Sequence, residues 1–343
     1  MSQRIIVVHS PHSGRSEELA EAIKDLEQTG VEVVNKISIA DLDNLPAQGP
    51  TWKESDIDVA IAAGGDGLVG GVTTHIAESG LPLGILPLGT SNDIARALHI
   101  PQDLHGAAQV IAQGKEQPID IGVARPAGQD APQKYGYFVH ALTVGVNVLF
   151  AHIATNAETR KRFGRLTYPV AALETFVRHD ALDIQLEFEG LAMTQATANT
   201  PVQTSLRGRA LQVAVINTPI FGGQRELAIP GSSFDDRLLD IVVIEQMDVG
   251  TLGSSIAQFF GPKEHAGISL PTGKKRTSRH HPAELSGVPG IHHVQARGVT
   301  ITTSADPQDA TLDGEVLGHT PMYVFVADKQ LRVRMPDQAG TSS

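Results

Sequence analysis

None of the 343 residues is cysteine. That removes disulfides, thiolate nucleophiles and thiolate metal sites together, and suits a cytoplasmic protein. Aromatic residues make up only 4%, too few for a surface that stacks bases, so no nucleic-acid partner is expected. Positive charge is not in excess either. Twenty-seven Lys and Arg face 38 Asp and Glu, for a formal net charge of -11. Any contact with an anionic membrane must then come from a local basic patch. No apolar run approaches the roughly 18 residues needed to span a bilayer. Met1 to Ser10 has neither the basic start nor the small-residue cleavage site of a signal peptide.

What is present is an ordinary globular composition, 41% hydrophobic and 19% charged, with 34 Gly and 20 Pro. The length favours two domains over one core. The first third alternates strand and helix patterns. Apolar runs at Ile5–Val8, Val31–Ile39, Ile57–Ala63 and Gly84–Leu88 read as strands. Leu19, Ala22, Ile23 and Leu26 share one helical face, and further helices are expected at Val69–Ser79, Asp93–Leu98 and Leu104–Ile111. This grammar predicts a parallel sheet covered on both faces, with its site beyond the carboxyl ends of the strands.

From about Pro118 the pattern changes. Tyr137–Val146, Leu182–Phe188, Leu211–Ile216, Leu239–Ile244 and Val299–Thr303 are rich in β-branched residues, interrupted by helix patterns at Tyr168–Arg178 and Leu252–Phe260. The expected organisation is an α/β domain over 1–120 and a β-sandwich over 121–320. A C-terminal segment over 321–343 would return to the first domain and end in a disordered tail. Pro271–Pro289 carries Lys274, Lys275, Arg276, Arg279, His280 and His281, either a solvated loop or a basic lip for an anionic lipid. The pairs His280–His281 and His292–His293 have no spaced acidic partner and read as solvated.

Two turns carry the chemistry. Ile61-Ala62-Ala63-Gly64-Gly65-Asp66-Gly67 places glycines where backbone can approach phosphate oxygens at a helix start. An Asp among them is repelled by phosphate unless it handles a metal or a proton. One strand–helix unit later comes Pro87-Leu88-Gly89-Thr90-Ser91-Asn92-Asp93-Ile94-Ala95-Arg96, with hydroxyl and amide groups at another helix start. Helix capping accounts for one of these side chains but not for the whole set.

This pair of turns resembles the diacylglycerol kinase catalytic family, which includes sphingosine kinases and bacterial lipid kinases. Further segments follow in the family's order. They are Ser10-Pro11-His12-Ser13-Gly14, Lys161–Tyr168, Phe221-Gly222-Gly223 to Pro230, Asp235-Asp236-Arg237-Leu238-Leu239-Asp240 and Asp313-Gly314-Glu315. The resemblance spans about residues 4 to 330. It implies a nucleotide-binding α/β domain, a β-sandwich lipid domain, and an active site in the cleft between them.

It further implies ATP as phosphate donor, a lipid alcohol as acceptor and transient membrane-surface contact from the cytoplasm. By position, ATP contacts fall on Ser38, Gly64, Gly65, Asp66, Gly67, Leu68, Thr90, Asn92 and Asp93. Glu315 becomes the proton acceptor, with Asp66 near the transferring phosphate. Mg2+ would be held by the Asp236 side chain and the carbonyls of Ser233 and Leu238, oxygen ligands that suit a hard cation. Either a monomer or a homodimer is compatible with the sequence.

Departures from the family pattern are also legible. Gly70 and Gly71 stand where Asn and Glu are usual, and two mid-helix glycines cost about 1 kcal/mol each. Ser10, His140 and Arg237 replace Asn, Asn and Gly. These leave open a regulatory protein that binds lipid or nucleotide without turnover. An NAD kinase shares the Gly-Gly-Asp-Gly turn but lacks the Pro-Leu-Gly-Thr-x-Asn-Asp segment.

Overall fold

The computed structural model describes residues 2–11, 15–43, 56–128, 134–146, 180–192, 204–221, 227–229, 231–247, 251, 254–255, 258–259, 261–262, 288–304 and 306–337. Seven expectations fall wholly or largely outside them: most of Ser10–Gly14, Lys161–Tyr168, the Tyr168–Arg178 helix, most of Phe221–Pro230, most of Leu252–Phe260, most of Pro271–Pro289, and the tail.

The first part of the chain runs β1 (Arg4–His9), α1 (Leu19–Gln28), β2 (Glu32–Ser38), α2 (Ile39–Asp43), β3 (Val59–Gly64), α3 (Asp66–Ile76), β4 (Leu83–Pro87), α4 (Asp93–Ala97), α5 (Leu104–Gln113) and β5 (Lys115–Ile119). Then come β6 (Gly122–Pro126), β7 (Gly136–Phe138), β8 (Ala141–Gly145), β9 (Leu182–Leu191), β10 (Ser205–Ile216), β11 (Ile220–Phe221), β12 (Leu227–Ala228), β13 (Leu239–Glu245) and β14 (Gly261–Pro262). The last strands are β15 (Ile291–Thr303), β16 (Asp309–Leu312), β17 (Glu315–His319), β18 (Met322–Val326) and β19 (Leu331–Met335).

The first sheet has the order β2-β1-β3-β4-β19-β5. Pairings among β1 to β4 are parallel, and β3 and β4 are buried throughout, as apolar runs without alternation should be. The sheet is not wholly parallel: β5 runs antiparallel to β19. From β1 the chain moves outward to β2, then returns to the other side for β3. Right-handed crossovers therefore place α1 and α3 on opposite faces, with α5 against α1 and α2 against α3. The same reversal opens a crevice at the carboxyl ends of β1 and β3.

The second sheet has ten strands, with β17 at one end and β7 at the other. Strands β10 and β15 are long enough to pair with β13 over one half and with β9 over the other. The sheet folds round a separate core containing Phe138, Leu186, Val215 and Val299. The first core crosses the boundary, because Val123, Tyr137, Val139, Ile220 and Phe234 pack into it. The C-terminal segment divides. Met322–Val326 stays in the second sheet against β6, and only Leu331–Met335 pairs with β4 and β5.

One expected strand, Tyr137–Val146, is two. The backbone leaves the ladder over residues 139–140 because their amides are taken by a side chain described below. Nearby, fully buried Asn217 donates its amide to the carbonyls of Asp120 and Val139, at 2.8 and 2.9 Å. It thus pins the end of the first sheet to the β7–β8 connection. Replacing it takes a buried donor from the Asp120 carbonyl and leaves the Val139 carbonyl with the Thr218 hydroxyl, at 2.9 Å. Asn217→Ala is expected to cost about 2–3 kcal/mol, read as a lower midpoint in urea unfolding.

Candidate active site

The two glycine turns lie against each other. A Cβ on Gly89 would run into the Cα of Gly65 and come 2.6 Å from Asn92 Oδ1. Only glycine permits this backbone-to-backbone approach. Asn92, itself left-handed at φ 52°, holds the second turn from within. Its Oδ1 accepts from Gly89 N at 2.9 Å, and its Nδ2 donates to the carbonyls of Pro87 and Gly89. Arg15, after β1, braces the same turn by donating to the Pro87 carbonyl, while its own amide donates to Leu88 O.

Asp66 joins the two turns. Its carboxylate oxygens accept from the amides of Asp93 and Ile94, at 3.1 and 2.9 Å, capping the start of α4 from the start of α3. Gly65 caps α3 with no side-chain bond. The amides of its first turn, from Asp66 to Leu68, therefore lack intrahelical partners and point along the helix axis. The Leu68 side chain is buried in the core, so only its backbone belongs to this turn. Thr90 is exposed at the tip of the second turn. Ser38 lies two strands from β3, with its hydroxyl donating to Asp41 at 2.8 Å and starting α2.

The second domain answers with the β16–β17 hairpin. Asp313 is buried, with φ 47°, and its carboxylate accepts three backbone amides: Val139 and His140 at 2.8 Å and Ala141 at 3.0 Å. These bonds take residues 139 and 140 out of the ladder. Asp313 also presses against α3: a Cβ on Gly70 would sit 2.8 Å from the Asp313 Cβ and still closer to its carboxyl. The glycine that costs the helix propensity is what lets the hairpin dock. Gly71 is likewise closely approached, by Ile39 of α2.

With Asp313 seated, exposed Glu315 faces the first glycine turn. A Cβ placed on Gly67 would lie 3.6 Å from Glu315 Oε1 and 3.3 Å from the Asp313 carbonyl. His140 completes the join, with Nε2 3.9 Å from Asp93 Oδ2. The structure thus gathers Gly65–Leu68, Gly89–Asp93, His140, Asp313 and Glu315 round one cleft. The role of Asp313 depends on contacts over 170 residues of sequence, and that of the His140 ring on one 47 residues away, so periodicity carries no signal for either.

The Asp235–Asp240 turn makes its contacts elsewhere. Arg237, at φ 63°, donates through its amide and Nη1 to the two oxygens of fully buried Asp120, and through Nη2 to Ala327 O. Asp236 Oδ1 accepts from Leu238 N at 3.0 Å. Burial, then the charge of Asp240, pushes the Asp236 carboxyl up to about 8, with smaller contributions from Asp120 and Asp235. Ser233 Oγ donates to Asp235 at 2.6 Å. Among the described residues no group of three or more His, Asp or Glu is arranged to hold a metal.

Burial raises the Asp313 carboxyl to about 6, against the three amides that favour its charged form. Between about pH 4 and 6 the folded state then holds a proton that the unfolded chain has released. Stability from this group is full below about pH 4 and is lost as pH rises through about 6, on the order of 3 kcal/mol in all. Wild type should therefore lose stability relative to Asp313→Asn across that window, measured as the difference in denaturant midpoints at stepped pH.

Comparison with known proteins follows the same division of the chain. Residues 4–124 match the family model for the diacylglycerol kinase catalytic domain, and residues 141–263 that for the YegS C-terminal NAD kinase beta sandwich-like domain. Diacylglycerol kinases of Staphylococcus aureus strains bovine RF122 and MRSA252 are 27% identical over 98% of this chain and 94% of theirs. A diacylglycerol kinase structure from Bacillus anthracis superposes with a TM-score of 0.57 at 20% identity, covering 97% of both chains. Yeast NADH kinase superposes at 0.50 and 10% identity, over 98% of this chain and 84% of that one. At such identities the structures speak for the fold alone. The likeness is therefore domain by domain, to a diacylglycerol kinase catalytic domain over residues 4–124 and to a YegS C-terminal NAD kinase beta sandwich-like domain over residues 141–263, with relatives named diacylglycerol kinase aligned along nearly the whole chain.

Proposed function

We propose that the chain is a kinase that transfers the γ-phosphoryl group of ATP to a hydroxyl of a lipid, such as diacylglycerol or a sphingoid base, with Mg2+. The observation that carries this reading is the placement of the Glu315 carboxylate opposite Gly67, at the start of α3. A proton acceptor and a set of phosphate-directed amides then face one another across a cleft. That is what phosphoryl transfer asks of a protein: positioning, charge neutralisation and a base for the attacking hydroxyl.

In this reading the amides of Asp66, Gly67 and Leu68 receive phosphate oxygens, helped by the α3 dipole. Gly64 and Gly65 keep the approach open, and Thr90 adds its hydroxyl from the second turn. Glu315 takes the acceptor's proton as the oxygen attacks. Asp66 serves chiefly as the strut between turns, because both of its oxygens are engaged with α4. Asn92 likewise shapes its turn rather than reaching outward. Gly70, which seemed a loss of polar groups at the phosphate-facing helix, has a place as the seat of Asp313.

For the metal, the Asp236 carboxylate would be one ligand and the backbone oxygens of Ser233 and Leu238 the others, and the cation would supply charge neutralisation. Oxygen donors of this kind suit a hard divalent cation, whose charge would counter the burial, and secondarily the neighbouring carboxylates, that raise Asp236. A cation so held would stiffen the turn that Arg237 ties to the end of β5.

Two measurements test this. Glu315→Gln should lower transfer of labelled γ-phosphate to lipid in mixed micelles at least about 100-fold while ATP still binds. Equal transfer by the variant removes Glu315 as base, and no labelled lipid from wild type removes the kinase reading. Separately, millimolar Mg2+ should raise the melting temperature of wild type, and Asp236→Asn should abolish that rise. An unchanged rise in the variant would place the cation elsewhere.

A further inference from the structure

Among the described residues only three large apolar side chains are exposed: Val34 at 38%, Val316 at 37% and Leu317 at 44%. Val34 is alone, on the outer strand of the first sheet. Val316 and Leu317 are adjacent on β17, directly after Glu315, and β17 is the end strand of the second sheet. An apolar pair on a sheet edge is an aggregation hazard that proteins ordinarily blunt with charge. Here it is kept where the cleft opens. Strand alternation puts Leu317 on the same face as Glu315, two residues or about 6.8 Å along.

The surroundings of the pair are those of a polar–apolar boundary. Tyr135 packs over Gly318, where a Cβ would lie 2.5 Å from its ring, and its hydroxyl donates to His319 O at 3.2 Å. The Tyr135 and His319 rings lie 5.7 Å apart. Tyrosine, with an apolar body and a polar tip, suits the level of lipid headgroups. The net charge of -11 offers the chain no general attraction to an anionic surface. An uncharged apolar contact meets no such penalty.

We propose that β17 is the edge by which the protein seats on a bilayer. The strand enters edge-on, with Leu317 on the Glu315 face and Val316 on the opposite face both reaching the hydrocarbon boundary, Tyr135 and His319 at the headgroups, and Glu315 presented to an acceptor hydroxyl at the interface. The surface rests on the lipid-kinase reading for its purpose but not for its measurement. Leu317 sits beside the reacting hydroxyl and so favours acceptors whose hydroxyl adjoins a hydrocarbon chain.

The chain has one tryptophan, Trp52, so Trp52→Phe with Leu317→Trp gives a single reporter in the full chain. Its emission should shift to the blue when neutral phosphatidylcholine vesicles are added without ATP. Val316→Ser with Leu317→Ser should lower co-flotation with the same vesicles about tenfold, consistent with the apolar surface removed. No shift, together with undiminished flotation of the serine variant, overturns the proposal. A blue shift that grows with protein concentration in the absence of vesicles also overturns it, in favour of pairing between copies. Lipid phosphorylation without a shift leaves the kinase reading standing and removes the docking edge. A shift without any phosphorylated lipid does the reverse.

Discussion

Three backbone amides converging on one carboxylate hold this molecule's site together. Asp313 is buried, and its charge is tolerable only because Val139, His140 and Ala141 all donate to it. The arrangement does several things at once. It stops the strand before β8, fixes the left-handed turn of the β16–β17 hairpin, and sets that turn against α3 at Gly70. Glu315, two residues on, has its direction set by those constraints rather than by bonds of its own. An exposed carboxylate can then stay unburdened while its placement is decided by a buried neighbour.

The first domain meets this arm with a comparable economy. Its two glycine turns touch backbone to backbone, and the side chains around them are spent inward: Asp66 on the α4 amides, Asn92 on its own turn. What remains pointing into the cleft is largely peptide N–H. A surface of amides at a helix start is suited to an anion and carries no charge that must be buried when the cleft is empty. Arg15, Asp120 and Arg237 then tie this layer to loops from distant parts of the chain.

Much of this was legible in the residues. The apolar runs that became β1, β3 and β4, the change of pattern near Pro118, and the glycine turns all follow from local periodicity and turn chemistry. What local pattern could not carry was partnership across the chain. Tyr137–Val146 has the composition of one strand, and only the arrival of Asp313 explains its break. Gly70 read as a weakness because the side chain that needs the space lies more than 240 positions later. Ser38 and Asn92 are nucleotide contacts only by position in the family pattern, and in the structure the side chains of both are engaged within their own turns. Helix α2 was missed because five residues are too few to show a period.

The return of β19 to the first sheet has a consequence for the order in which the protein can be made. The first sheet is interrupted after β4, and β5 can join it only through Leu331–Met335. On a ribosome, the whole second sheet has therefore left the exit tunnel before the first sheet can close. The strands that carry the chain out and back, β6 and β18, pair side by side with Gly122 opposite Val326. The sandwich is in effect a long loop zipped shut at its base, and the first domain is finished only when that zip is drawn.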